Sequence, residues 1–329
     1  MKLNFPAVFL LPLLLSACAS ASEYTDGQYP ALGRQLMEKP VTVDGIRVLS
    51  VVKLGRLRFN DIEMVELSAL AWSEDEQLLY AVSDHGAVFH LAPVFSSGRL
   101  QSVRVIHAYL LRDKDGKVLG WPWRDSEGLV VLNANNGRRG DDELVISYEL
   151  RPRIMRHSVQ GKWLADIELP VPLRDRSRYQ SWNKALEAVA VHPEFGVLSA
   201  PERPLSDAPK GSTMLYSDQG IQWAIPQQED GLSVVAMEVM PAGDILLLQR
   251  RHRMIGEVWK VVLQRLGLKK SGRLDSRVLA TLSSNGEQIP VDNYEGLARH
   301  EGNRYFMVSD DNESLLQDML LMYFEVLSD

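Results

Sequence analysis

The chain has 329 residues, 45% hydrophobic and 24% charged, which is enough apolar material for a large core and excludes a disordered polypeptide. Lys and Arg number 36 against 43 Asp and Glu, a net charge of -7 and the wrong sign for holding nucleic acid by its phosphates. The single cysteine excludes an intramolecular disulfide framework and any zinc site built from several thiolates.

At the N-terminus, Lys2 precedes an apolar run from Ala7 to Leu15, broken only by Pro12 and followed by Leu15-Ser16-Ala17-Cys18. The run is too short to cross ~30 Å of hydrocarbon, which takes about 20 helical residues, so it reads as a signal core. The pattern resembles a bacterial lipoprotein signal, with cleavage after Ala17 and lipidation of Cys18. Ala19 stands where an inner-membrane retention signal has Asp, which implies a lipid anchor in the outer membrane, facing the periplasm. The alternative is an ordinary secretory signal cut between Ala17 and Ala21. Residues 1–17 are thus expected to be a signal peptide, residues 18–40 a tether or N-terminal arm, and residues 41–329 the folded domain. An acylated Cys18 leaves no cysteine nucleophile.

Beyond Val41, short apolar runs rich in Val, Leu and Tyr alternate with Gly, Asp, Asn and Pro clusters, a strand-and-turn texture. A repeat emerges when Leu67–Trp72, Ser126–Val131, Leu186–Val191, Val235–Val239 and Tyr294–Ala298 are aligned as first strands. With Ser68, Glu127, Glu187, Ala236 and Glu295 as equivalents, the steps are 59, 60, 49 and 59 residues. Four strands with their turns fit each step. The expected fold class is therefore all-β: a β-propeller, most simply of five four-stranded blades, with a sixth left open by the count and a pair of β-sandwiches as the competing arrangement. The last unit is short, and joining Ile46–Leu54 to Met319–Val326 would close the ring by pairing N- and C-terminal strands.

This arrangement predicts where charge collects. The first strand of a propeller blade is innermost, and in an antiparallel hairpin its start lies beside the end of the second strand. Glu127, Glu187 and Glu295 should therefore converge with Asp84, Glu149, Glu202 and Asp310 around one mouth of the axial channel. Asp125 and Asp292 stand just before first strands, and Arg250 and Arg251 join from the fourth unit. Carboxylates so close cannot all stay ionised without compensation. A hard cation such as calcium supplies it, or one carboxyl keeps its proton and acts as a general acid. The arginines offer bidentate donors to a substrate phosphate or carboxylate, or neutralise the acids themselves. His85, beside Asp84, is a further candidate to touch substrate, although a turn histidine is more often solvated. Trp121, Trp123 and Trp182 are read as packing between blades.

Together, Leu67-Ser68-Ala69-Leu70 with Ser83-Asp84, Asp125-Ser126-Glu127-Gly128-Leu129, Asn183 through Glu187-Ala188, Glu202, and Tyr294-Glu295-Gly296-Leu297 with Ser309-Asp310 resemble the phytase-like family described as "esterase-like activity of phytase". The resemblance spans roughly residues 45–327 and implies hydrolysis of an ester or phosphoester by repeated Glu and Asp residues. One departure is Gln249-Arg250, where Glu-Arg would be expected, which removes an acid there.

The resulting expectation is a hydrolase with Glu127, Glu187 and Glu295 as catalytic groups. Asp84, Glu149, Glu202, Asp310, Asp125 and Asp292 would hold a metal, taken as calcium, and Arg250, Arg251 and His85 would bind substrate. A non-catalytic propeller binding an envelope ligand or protein, and a calcium-dependent lactonase, are the other readings. The chain lacks a Gly-x-Ser-x-Gly elbow, a His-Glu-x-x-His motif and a Walker-type loop, so no nucleotide cofactor is expected.

Overall fold

The computed structural model describes residue 29 and residues 31–251, 258–286 and 288–327. The signal segment and Cys18 lie outside the described residues.

The described chain forms a five-bladed β-propeller. The first blade consists of Leu67–Ser73, Leu78–Ser83, Ala87–Ser96 and Arg99–Leu110, and the second of Ser126–Leu132, Glu143–Tyr148, Arg153–Ser158 and Trp163–Ile167. The third contains Leu186–His192, Gly196–Pro201, Ser212–Ser217 and Gln222–Pro226; the fourth, Leu232–Val239, Ile245–Arg251, Lys260–Leu268 and Leu274–Ser283. The fifth takes Tyr294–Arg299, Arg304–Ser309 and Leu320–Val326 from the C-terminal end and Ile46–Lys53 from the N-terminal end. Ile46–Lys53 pairs antiparallel with Leu320–Val326, so the earliest blade strand is laid against the last.

Burial follows position in the blade. The innermost strand Leu67–Ser73 is buried along its whole length, because neighbouring blades cover both faces. The outermost strand Gln222–Pro226 alternates, exposing Gln222, Ala224 and Pro226 and burying Trp223 and Ile225. The apolar core accordingly divides into five clusters, one between each pair of adjacent blades.

Part of the N-terminal arm is docked. Ala31–Leu32 pairs with the outer strand of the first blade, and Arg34–Gln35 with Ile46–Lys53 of the fifth. Gly33 lies between them with φ +145°, and a Cβ there would approach Val52 Cγ1 to 2.5 Å, so only glycine fits the crossing from one sheet to the other.

Candidate active site at the axial mouth

Each inner strand begins with a β-bulge at the same place. The ladder to the second strand slips between Leu67 and Ala69, Ser126 and Gly128, Leu186 and Ala188, Val234 and Ala236, and Tyr294 and Gly296. The residues skipped are Ser68, Glu127, Glu187, Val235 and Glu295. A bulged residue leaves the regular alternation and re-aims its side chain, so these five positions form a ring at the head of the channel. In the fourth blade the equivalent is Val235, one residue before the expected Ala236.

The residue after each bulge is Ala69, Gly128, Ala188, Ala236 or Gly296, always small. At Gly128 a Cβ would lie 2.7 Å from the carbonyl oxygen of Glu187, and at Gly296 3.0 Å from Cα of Ala69, so the ring closes only where side chains are minimal.

A second ring surrounds the first, made in four blades of the residue just past the end of the second-strand pairing, Asp84, Glu149, Glu202 and Asp310, and in the fourth blade of Arg250 near the end of its strand. Four are fixed alike. The amides of Asp84, Glu149, Glu202 and Asp310 donate to the carbonyls of Glu66, Asp125, Ala185 and Asn293, at 3.2, 3.1, 2.8 and 3.0 Å. The fourth blade departs again, with Arg250 paired to Ser233 in the ladder.

Both rings open into one cavity of about 870 Å³, to which every expected carboxylate except Asp292 contributes, together with Arg250 and His85. Two expected residues are not brought there. Arg251 points the other way along its strand and lies with Nη1 3.6 Å from Glu229. Asp292 is taken up by backbone amides, its Oδ1 accepting from Asn293 and its Oδ2 from Asp318. Successive strand residues face opposite sides, which separates Arg250 from Arg251. His85 is on the rim, 2.8 Å through Nε2 from Glu66. Glu66, Lys184 and Asn293 also line the cavity and were missed as site residues. Glu66 and Asn293 precede their bulge by two positions, as Asp125 does, a spacing legible in the sequence once the bulges are aligned.

The two halves of the mouth differ electrostatically. Ligand atoms of Glu149, Glu187 and Glu202 lie within 4.8 Å of one another, and positive charge attends them. Lys184 Nζ is 3.1 Å from Glu202 Oε2, and Arg250 bonds Glu295 beside them. Burial pushes the Glu202 carboxyl up, but Arg250, Lys184 and the Ser233 hydroxyl outweigh it and hold the group below its ordinary range. These acids also join blades: Glu149 Oε1 accepts from the Ala185 amide at 2.9 Å, and Glu202 Oε1 from Ser233 Oγ at 2.7 Å.

Asp84, Asp125 and Glu127 form the other group, likewise within 4.8 Å. Oδ1 of Asp84 is buried with no hydrogen-bond partner. Burial first, then the neighbouring acids Asp310, Glu295 and Asp125, push the Asp84 carboxyl well above its usual range, and burial with Asp84 and Glu187 does the same to Glu127. Burial also raises Asp125 to about 6 and Glu149 to about 8. In Arg250, Nε and Nη1 are buried and unpartnered.

Exposed apolar side chains also line the cavity. Trp121 and Trp182, 71% and 63% exposed, and Leu316, 89% exposed, line the same cavity, so these two tryptophans do not pack between blades as expected. Trp123 instead lies beneath Arg151 and Arg153, whose guanidinium carbons are 5.3 and 5.5 Å from its ring.

The family model for esterase-like activity of phytase matches residues 62–313. The chain belongs to the phytase-like family. No curated protein matches it. Among solved structures, virginiamycin B lyase from Staphylococcus aureus is similar at 9% identity and TM-score 0.39, over 91% of this chain and 100% of that one. The Dos1 propeller is similar at 9% identity and TM-score 0.36, over 86% and 76%. The extracellular domain of a hybrid two component system from B. thetaiotaomicron is 14% identical with TM-score 0.36, over 87% of this chain and 32% of that one. In this phytase-like chain the matched region begins at Ile62, in the hairpin of Leu57–Phe59 and Ile62–Met64 before the first blade, and runs past Asp310, so it takes in both rings.

Proposed function

We propose that the axial mouth is a hydrolytic site for an ester or phosphoester, with a divalent cation held by Asp84, Asp125 and Glu127. The observation that carries this reading is Oδ1 of Asp84, a buried carboxylate oxygen without a partner inside a group of three acids where Arg124 and Arg153 temper Asp125 yet all three carboxyls stay raised. An all-oxygen donor set suits calcium. When bound, such an ion polarises the scissile group and makes water a stronger nucleophile.

The protein's own groups divide the remaining work. Glu202, held ionised by Arg250, Lys184 and the Ser233 hydroxyl, is the carboxylate placed to take a proton from an attacking water. Glu149, pushed up to about 8, holds a proton at neutral pH and serves as donor to the leaving oxygen. Arg250, which lines the cavity, supplies positive charge beside negative charge developing on the substrate. By the sequence of its leader, the site belongs in the cell envelope, anchored through lipidated Cys18.

A second reading, a non-catalytic binding propeller, draws support from Glu149 and Glu202, which already hold neighbouring blades. Purified protein assayed on p-nitrophenyl esters, p-nitrophenyl phosphoesters and lactones, with calcium or with chelator, separates the two. The hydrolase reading expects chelator-sensitive turnover, reduced about 100-fold or more in Glu127→Gln. Lack of turnover on every substrate, with melting unchanged by chelator, leaves the binding propeller.

A further inference from the structure

We infer that the mouth takes an amphiphilic ester, its polar head at the carboxylate floor and an apolar chain laid across Trp121, Trp182 and Leu316. The inference rests on the hydrolase reading and names its substrate class.

The cavity is layered. Its floor carries acids from four blades together with Arg250, whereas its rim is built by three separate segments that each bring a large apolar side chain into contact with water. Trp121 lies on the connection between the first and second blades, Trp182 on that between the second and third, and Leu316 on the segment after Arg304–Ser309 in the fifth. Leu315, 98% exposed, adjoins Leu316. Isolated exposed apolar residues are ordinary, but large ones from different segments converging on one cavity mark a binding surface. Shielding them from water is favourable in proportion to the apolar area covered.

The polar floor decides what covers them. A wholly apolar molecule would leave the acids and the free Arg250 nitrogens without partners, and a small polar ester would leave the tryptophans wet. Only a molecule with a polar head and an apolar tail satisfies both layers.

The test is calorimetric titration of the full protein, in calcium, with methylphosphonate and octylphosphonate below micellar concentration. The wild type is compared with Trp121→Ala/Trp182→Ala and, separately, Leu316→Ser; these side chains are exposed, so folding is not at stake. Expected is octylphosphonate binding at least tenfold tighter than methylphosphonate, with the ratio falling towards one in both variants. Equal binding of the two probes by the wild type, or a ratio unmoved by the variants, overturns the amphiphile and leaves the hydrolase reading intact. Binding of neither probe means that the floor takes no anionic head, which overturns the amphiphile and the phosphoester half of the hydrolase reading.

Discussion

Arg250 of the fourth blade donates from Nη2 to Oε1 of Glu295 on the bulge of the fifth, so the one basic member of the outer ring spans two blades. Both residues are buried. Asn293 Nδ2 reaches the same carboxylate oxygen at 2.8 Å, which fixes the pair from a third direction. Removing one partner of a buried ion pair strands the other charge and typically costs 3–5 kcal/mol. Arg250→Met is therefore expected to lower stability by about that amount in urea unfolding. Arg250→Met/Glu295→Leu should lose less than Arg250→Met alone, and a larger loss in the double variant would show that the pair is not what matters there.

The acids and the histidines make opposite demands on pH. A carboxyl raised from 4.5 to about 8, such as Glu149, contributes stability that is complete below pH 4.5 and is lost as pH rises towards 8. Burial lowers His90 and His157 to about 4, so their contribution is complete above pH 6.5 and is lost as pH falls towards 4. In chelator, melting temperature should fall on both sides of a maximum between pH 5 and 7. In saturating calcium the alkaline fall should flatten while the acid fall persists, because neither His90 nor His157 lines the cavity. Glu149→Gln should raise the melting temperature at pH 8 in chelator and change it little at pH 4.5. A calcium-independent alkaline limb would remove the cation from the account.

Asp84, unlike Glu149 and Glu202, makes no side-chain bond to the next blade. Asp84→Asn is expected to leave unfolding in chelator nearly unchanged, since burial already drives the carboxyl it replaces towards the neutral form. Calcium affinity should drop tenfold or more by titration calorimetry, whereas Asp292→Asn, with both oxygens committed to amides, should leave it within about twofold. Equal effects from the two would refute the assignment.

The small residues after the bulges set how closely the inner strands approach. Gly296→Ala places a methyl against Val308 and Ala69, and overpacking of this kind costs about 1–3 kcal/mol. Gly120→Ala, where nothing lies within 4 Å of the new atom, serves as control and should be near neutral. Denaturant midpoints of the two variants make the comparison.

Much of this site could be read in the chain because a propeller turns sequence repetition into proximity. The Ser-Glu-Gly-Leu and Tyr-Glu-Gly-Leu segments align by inspection, and the Glu aligned this way meets its counterparts at the axis. The reading slipped in the fourth unit, where no Glu marks the bulge and hydrophobicity alone cannot tell Val235 from Ala236. That one-position ambiguity also left Arg250 and Arg251 looking equivalent, although alternation sends them to opposite sides. Asp292 and Asn293 posed the same problem, and only hydrogen bonding showed that the aspartate caps amides while the asparagine faces the cavity. The tryptophans were misjudged for a different reason: their fate depends on how long connections drape over the rim, which no periodicity records.

Pairing Ile46–Lys53 with Leu320–Val326 makes the order of synthesis matter. Until the final strand leaves the ribosome, the first one has no sheet to join, and the buried faces that flank the seam remain open on both sides. A chain cut short by its last few residues would thus lose the clasp of the whole ring.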